Sequence, residues 1–95
     1  MPTLLTTTQI YKRAIALDPF NPQLPTQAAR ALMSGALQLA EANPTGAAEK
    51  LTQGEALLED AIRLKPDYAA ARFLLAQLYL RQGNLTKALE KTDEL

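Results

Sequence analysis

Residues 58–66 read Leu58-Glu59-Asp60-Ala61-Ile62-Arg63-Leu64-Lys65-Pro66, and residues 11–19 repeat the pattern as Tyr11-Lys12-Arg13-Ala14-Ile15-Ala16-Leu17-Asp18-Pro19. Both have a large apolar residue, two charged residues, Ala, Ile, a variable residue, Leu, a charged residue and Pro. The apolar residues recur at steps of three and four, which places them on one face of a helix. Pro then ends the helix. A pattern that recurs in this way predicts a helical repeat.

Four breaks rich in Pro, Gly, Asn and Asp divide the chain, at residues 18–22, 43–46, 65–67 and 83–84. Good helix formers dominate the five segments between them, and Val is absent, which disfavours a sheet. The sequence predicts one all-α domain over residues 1–95, with helices at about 3–17, 22–42, 47–64, 67–82 and 85–95. Asp67 is a candidate N-cap, and Gly83 suits a left-handed helix end.

Residues 58–89 resemble the tetratricopeptide repeat. Four features carry the resemblance: the Leu75-Ala76 pair, the aromatic Tyr79, the Gly83-Asn84 turn and the small Ala88. The resemblance implies a right-handed array of antiparallel helix hairpins, in which Ala76 and Ala88 let the paired helices approach closely. An ordinary helical bundle is the alternative.

The spacing of the two patterns departs from that family. Pro19 and Pro66 lie 47 residues apart, whereas tetratricopeptide repeats recur about every 34 residues. The excess corresponds to about two turns on each helix of the middle hairpin. Whole turns leave the same face buried, so we expect an elongated middle hairpin over residues 22–64 with its tip at 43–46. A long irregular loop is the alternative, but helical spacing continues on both sides of the tip.

Composition excludes several functions. Ten Lys and Arg balance ten Asp and Glu, so no basic surface for nucleic acid is predicted. The chain lacks Cys and His, and no apolar run is long enough to cross a membrane. Glu55, Glu59 and Asp60 form a cluster that a solvated helix face explains, and no phosphate loop occurs. We therefore expect no enzymatic activity, no cofactor, no metal site and no membrane insertion of this segment.

Family resemblance also suggests where a partner binds. In tetratricopeptide repeats the first helix of each hairpin lines a concave groove that receives a peptide. The residues that would face this groove are Phe73, Leu74, Gln77, Leu80 and Arg81 on the fourth helix, and Gln27, Arg30 and Ser34 on the second, with Leu37 beside them. Phe73, Leu74 and Leu80 would form an apolar strip flanked by the two Arg side chains. The alternative is that neighbouring helices bury this strip.

Two functions remain open from the sequence. The first is a protein-interaction scaffold that binds a peptide or helix of a partner protein in the groove. The second is a self-assembling module or homo-oligomer, because arrays need polar caps and the last segment keeps Leu89 and Leu95 apolar. The chain also suits a fragment of a larger bacterial envelope protein. Otherwise a cytoplasmic location is expected, because no signal peptide is evident.

Overall fold

The computed structural model describes residues 6–93, without the side chains of residues 7, 8, 92 and 93. The described residues form five helices and no strand: α1 Thr7–Leu17, α2 Gln23–Leu39, α3 Pro44–Leu64, α4 Ala69–Arg81 and α5 Leu85–Asp93. The all-α prediction is confirmed. Several predicted helix ends are wrong, and local interactions account for the starts of α1, α3 and α4.

A capping box sets the start of α1. The Thr6 hydroxyl accepts a hydrogen bond from the Gln9 backbone N–H, and the Gln9 side chain accepts one from the Thr6 backbone N–H. Thr6 itself is extended. The prediction that the first helix includes Thr6 is therefore wrong. The predicted start at residue 3 lies, with residues 4 and 5, outside the described residues.

The tip of the middle hairpin lies nearer to α2 than predicted. Asn43 is the N-cap of α3, and its side chain accepts a hydrogen bond from the Gly46 N–H at 2.9 Å. Pro44 occupies the first helical position, where its missing N–H costs no intrahelical bond. For this reason Gly46 lies inside α3, and the predicted boundaries at 42 and 47 are wrong. The elongated hairpin is confirmed, since α3 exceeds α4 by about two turns. The predicted even split is wrong, because α2 exceeds α4 by only about one turn.

The ends of α4 are set by different means. Asp67 is not the N-cap, because Tyr68 occupies that position and provides no capping side-chain hydrogen bond. Instead, the preceding turn is held by Arg72, whose Nε donates to the Pro66 carbonyl at 2.7 Å. At the other end Gly83 adopts the predicted left-handed conformation, with φ at 76°.

Two backbone hydrogen bonds complete the C-terminal cap of α4. The Gly83 N–H donates to the Leu80 carbonyl at 3.0 Å, and the Asn84 N–H donates to the Tyr79 carbonyl at 2.8 Å. This pair is the Schellman motif. Asn84 then caps the start of α5, since its side chain accepts a hydrogen bond from the Lys87 N–H at 3.2 Å. The chain thereby reverses within the three residues 82–84, which brings α5 against α4.

The helices pack in the order in which the chain makes them. Each described helix contacts the next, α2 also contacts α4, and no other pair of helices packs together. The result is a slab of about 49 × 35 × 13 Å. This neighbour-to-neighbour packing defines an array of hairpins rather than a closed bundle. Because each helix has few neighbours, a helix face on either side of the slab can remain open.

A core of aliphatic residues runs through α2, α3 and α4. Leu58, Leu75 and Leu78 are its largest fully buried side chains, each worth about 2 kcal/mol in apolar area removed from water. Small residues let the helices approach one another: Gly54 of α3 faces the backbone of Ala29 in α2, and Ala76 and Ala88 are buried as predicted. The described side chains leave no buried polar atom without a hydrogen bond.

Candidate partner-binding surfaces

Helix α4 has two apolar faces, of which one is covered. Leu75, Leu78 and Tyr79 lie in the core, whereas Phe73 and Leu80 are 54% and 55% exposed. Gln77 lies between the two exposed residues and is half-buried. Positions 73, 77 and 80 are separated by four and three residues, so the three side chains share one face. Phe73 and Leu80 are about 10 Å apart along the helix axis.

Leu74 does not belong to this exposed face. It is only 6% exposed and forms part of the core cluster, so the prediction that Leu74 faces the groove is wrong. The cause is the number of neighbours, because α2, α3 and α5 all pack on α4. Three neighbouring helices bury a wider part of the surface of α4 than one helix would. Leu74 falls within that part, because it is only about 100° from Leu75 around the helix.

Arg81 joins the two helices that carry the predicted contacts. Its Nη1 donates to the Met33 carbonyl of α2 at 3.3 Å, while the side chain remains exposed overall. The guanidinium therefore holds the end of α4 against the middle of α2. The sequence gives no sign of this bond, since the two residues are far apart in the chain.

On α2, the predicted residues Arg30 and Ser34 belong to two different surfaces, and Gln27 belongs to neither. Gln27, Arg30 and Ser34 are all exposed. Arg30 lies three residues before Met33 and the exposed Leu37 four residues after it, so both share the side of α2 that Arg81 reaches. We call Phe73, Gln77, Leu80, Arg81, Arg30 and Leu37 the α2–α4 surface. Ser34 instead lines a separate groove.

That groove lies between α1 and α3, with α2 as its floor, and has a volume of about 650 Å³. We call it the α1–α3 channel. Ala28, Ala31 and Gly35 contribute small residues to the floor, beside the larger Leu32 and Gln38, and Ile15 and Leu57 belong to the walls. Sequence reasoning missed the channel. Its one local signal is the recurrence of the small residues Ala28, Ala31 and Gly35 at steps of three and four, which does not tell how far apart α1 and α3 lie.

Two of the acidic residues of α3 have partners within the chain. The Tyr79 hydroxyl donates to the Glu55 carboxylate at 3.2 Å, and Asp60 pairs with Arg63. Burial raises the pKa of Tyr79 to about 12, and the negative charge of Glu55 adds to the shift. Within residues 6–93, no group of three or more acidic side chains is placed to hold a metal ion.

Antiparallel helix hairpins that stack in chain order and meet at small residues define an α-solenoid of helical hairpins. The family model of the tetratricopeptide repeat matches residues 39–93, more than half of the chain, and the chain belongs to this family. No curated protein and no solved structure shows significant similarity to it.

Family membership carries a general statement about function. Tetratricopeptide repeats generally mediate protein–protein interactions, and the family generally consists of interaction modules without enzymatic activity. None of the helices in the described part of the chain is long and apolar enough to cross a membrane. The partners to expect at the two surfaces are therefore proteins.

Proposed function

We propose that the chain is an interaction scaffold whose α2–α4 surface binds a segment of a partner protein. The observation that carries this proposal is the exposure of Phe73 and Leu80 on one face of α4, while the other large apolar side chains of that helix are buried. Large apolar side chains grouped on a surface favour an interaction site over a solvated face. Both α2 and α4 are first helices of their hairpins, which is where the family forms its groove.

The residues of the α2–α4 surface indicate the spacing and charge of the segment that it would bind. Two apolar contacts about 10 Å apart match residues two turns apart on a helix, or three residues apart on an extended strand. Gln77 lies between them and offers both hydrogen-bond donors and an acceptor. Arg30 and Arg81 add positive charge at the side, so a segment with apolar anchors and an acidic residue fits best.

Peptide selection tests this proposal. A display library of short random peptides would be selected on the wild-type chain, and the recovered peptides titrated against variants. We expect Phe73→Gln combined with Leu80→Gln to weaken binding by about tenfold or more, since central apolar contacts dominate such interfaces. Circular dichroism should show unchanged helix content, because both side chains are half exposed.

A matched control is available elsewhere on the chain. Leu17 and Phe20 are 88% and 82% exposed near the α1–α2 turn, so Leu17→Gln combined with Phe20→Gln removes a comparable apolar pair. This control should bind the selected peptides as the wild type does. Equal losses in the two double variants would show that general surface apolarity, and not the α2–α4 surface, holds the peptides.

Self-assembly is the second candidate function, favoured by one observation on α5. Leu85 and Leu89 lie one turn apart and are 60% and 55% exposed, and α5 packs on α4 alone among the described helices. A second copy would cover this strip. Light scattering over roughly a hundredfold range of concentration tests it, because association follows mass action. A mass that rises, and that Leu89→Gln lowers, supports self-assembly, whereas a constant monomer mass contradicts it.

A further inference from the structure

The α1–α3 channel is a second open surface, separate from the α2–α4 surface. Its floor is α2 from about Ala28 to Gln38, a length of about 15 Å. Ala28, Ala31 and Gly35 keep this floor low, and apolar side chains of α1 and α3 rise beside it, including Ile15 and Leu57. The floor is therefore as long as about three turns of an α-helix.

Two ammonium groups give the channel its charge. Lys12 of α1 and Lys50 of α3 line it from opposite walls, and none of its described lining residues is acidic. The Lys50 chain lies next to Gly35: its Cδ and Nζ are 3.5 Å and 3.7 Å from the point where a Cβ on Gly35 would stand. The absence of a side chain at Gly35 thus gives the Lys50 ammonium room inside the channel.

We propose that the α1–α3 channel binds an amphipathic helix of a partner protein that carries acidic residues along the edges of its apolar face. The apolar face would pack on Ala28, Ala31 and the two walls, since helices approach closely where one of them has small residues. Carboxylates on the two edges would pair with Lys12 and Lys50. This proposal does not rest on binding at the α2–α4 surface.

Two other occupants fit the channel less well. Helix α5 of a second copy has an exposed apolar strip, but its Lys87 and Lys91 balance Glu90 and Asp93, so it brings no net negative charge to the two lysines of the channel. An acyl chain would match the apolar walls and one lysine. However, Ser34, Gln38 and Gln53 also line the channel, and an acyl chain offers their polar groups no hydrogen bonds.

Two synthetic helical peptides provide the test. Both have a face of Ala and Leu; one carries Glu along both edges of that face, and its partner carries Lys at the same positions. Fluorescence anisotropy would measure the affinity of each. We expect the wild-type chain to bind the Glu peptide about tenfold more tightly than the Lys peptide, since two ion pairs are exchanged for two repulsions.

Charge reversal in the channel identifies the site. Lys12→Glu combined with Lys50→Glu should invert the preference between the two peptides. Lys65→Glu combined with Lys87→Glu changes the net charge equally, outside the channel lining, and should keep the wild-type preference. Phe73→Gln combined with Leu80→Gln should also bind the Glu peptide normally, which separates this site from the α2–α4 surface.

Three results would overturn the proposal. The first is the absence of binding to the Glu peptide at any accessible concentration, and the second is the same preference in the Lys12/Lys50 variant as in the wild type. The third is a wild-type dimer in light scattering that the Lys12/Lys50 variant dissociates, since that would make a second copy the occupant.

Discussion

Gly54 lies where α3 crosses α2, and its replacement by Ala tests how closely the two helices approach. A Cβ added at Gly54 would stand 3.5 Å from Leu78 Cδ1, 3.7 Å from the Ala29 carbonyl oxygen and 3.9 Å from the Ala29 Cα. These are ordinary van der Waals distances, so a methyl group fits without displacing either helix. The crossing is close, but the structure leaves room for one more carbon atom.

The sign and size of the effect follow from this geometry. Gly in the middle of a helix is less favourable than Ala by about 0.5–1 kcal/mol, mainly through the entropy of the unfolded chain. Because the added methyl group meets no clash, Gly54→Ala should raise the free energy of unfolding by about that amount. Gly54→Val adds two further carbons against the Ala29 backbone, and should lower it by about 1–3 kcal/mol.

Urea denaturation followed by circular dichroism would measure both variants, with Gly35→Ala as the control. Gly35 also lies within a helix, and the nearest atoms to a Cβ there belong to the flexible Lys50 side chain, at 3.5 Å and beyond. We therefore expect Gly35→Ala to stabilise the chain as Gly54→Ala does. If Gly54→Ala destabilises the chain while Gly35→Ala stabilises it, α2 and α3 approach more closely than the structure indicates, and the reasoning fails.

Three further predictions concern the core, one helix cap and the behaviour at high pH. Leu75→Ala should lower the free energy of unfolding by about 2–5 kcal/mol in thermal or urea denaturation, because Leu75 is fully buried; a loss below about 1 kcal/mol would contradict its place in the core. Asn43→Ala should lower the free energy of unfolding by about 1 kcal/mol through loss of the cap on α3. Thr45→Ala, two residues later in the first turn of α3, serves as its control. Tyr79 has a pKa of about 12 in the folded chain and an ordinary value of 10.0, so its proton is held more tightly in the native state. Its contribution to stability is complete below pH 10 and is lost as the pH rises towards 12, by about 2 kcal/mol; Tyr79→Phe should lack this alkaline loss in denaturation measured at each pH.

The helices could be predicted because their punctuation is local. The backbone preferences that end these helices belong to single residues, Pro66 and Gly83 among them, and to the break near Asn43. Such preferences can be read directly from residue type. The start of α3 was missed because the Asn-Pro pair resembles a turn, whereas Asn43 caps the helix and Pro44 opens it. The N-cap of α4 was misassigned because Asp67 is a good capping residue by type, but the chain places Tyr68 there.

The candidate surfaces could be predicted only in part, since burial depends on residues distant in sequence. Of the strip that the sequence left either exposed or buried, Phe73 and Leu80 are exposed, and their role in binding stays a prediction. Leu74 is buried, because periodicity alone does not tell how many helices surround α4. The bond between Arg81 and the Met33 carbonyl and the α1–α3 channel both arise from packing, and no local pattern indicates the distance between α1 and α3.

Mapping a bound peptide by nuclear magnetic resonance tests the central claim most directly. A peptide selected on the wild-type chain would be titrated into isotope-labelled protein, and the backbone amide shifts followed. Binding at the α2–α4 surface predicts the largest shifts at Phe73, Gln77 and Leu80, with smaller ones near Arg30. Shifts confined to other parts of the chain, with the amides of α4 unchanged, would contradict the account.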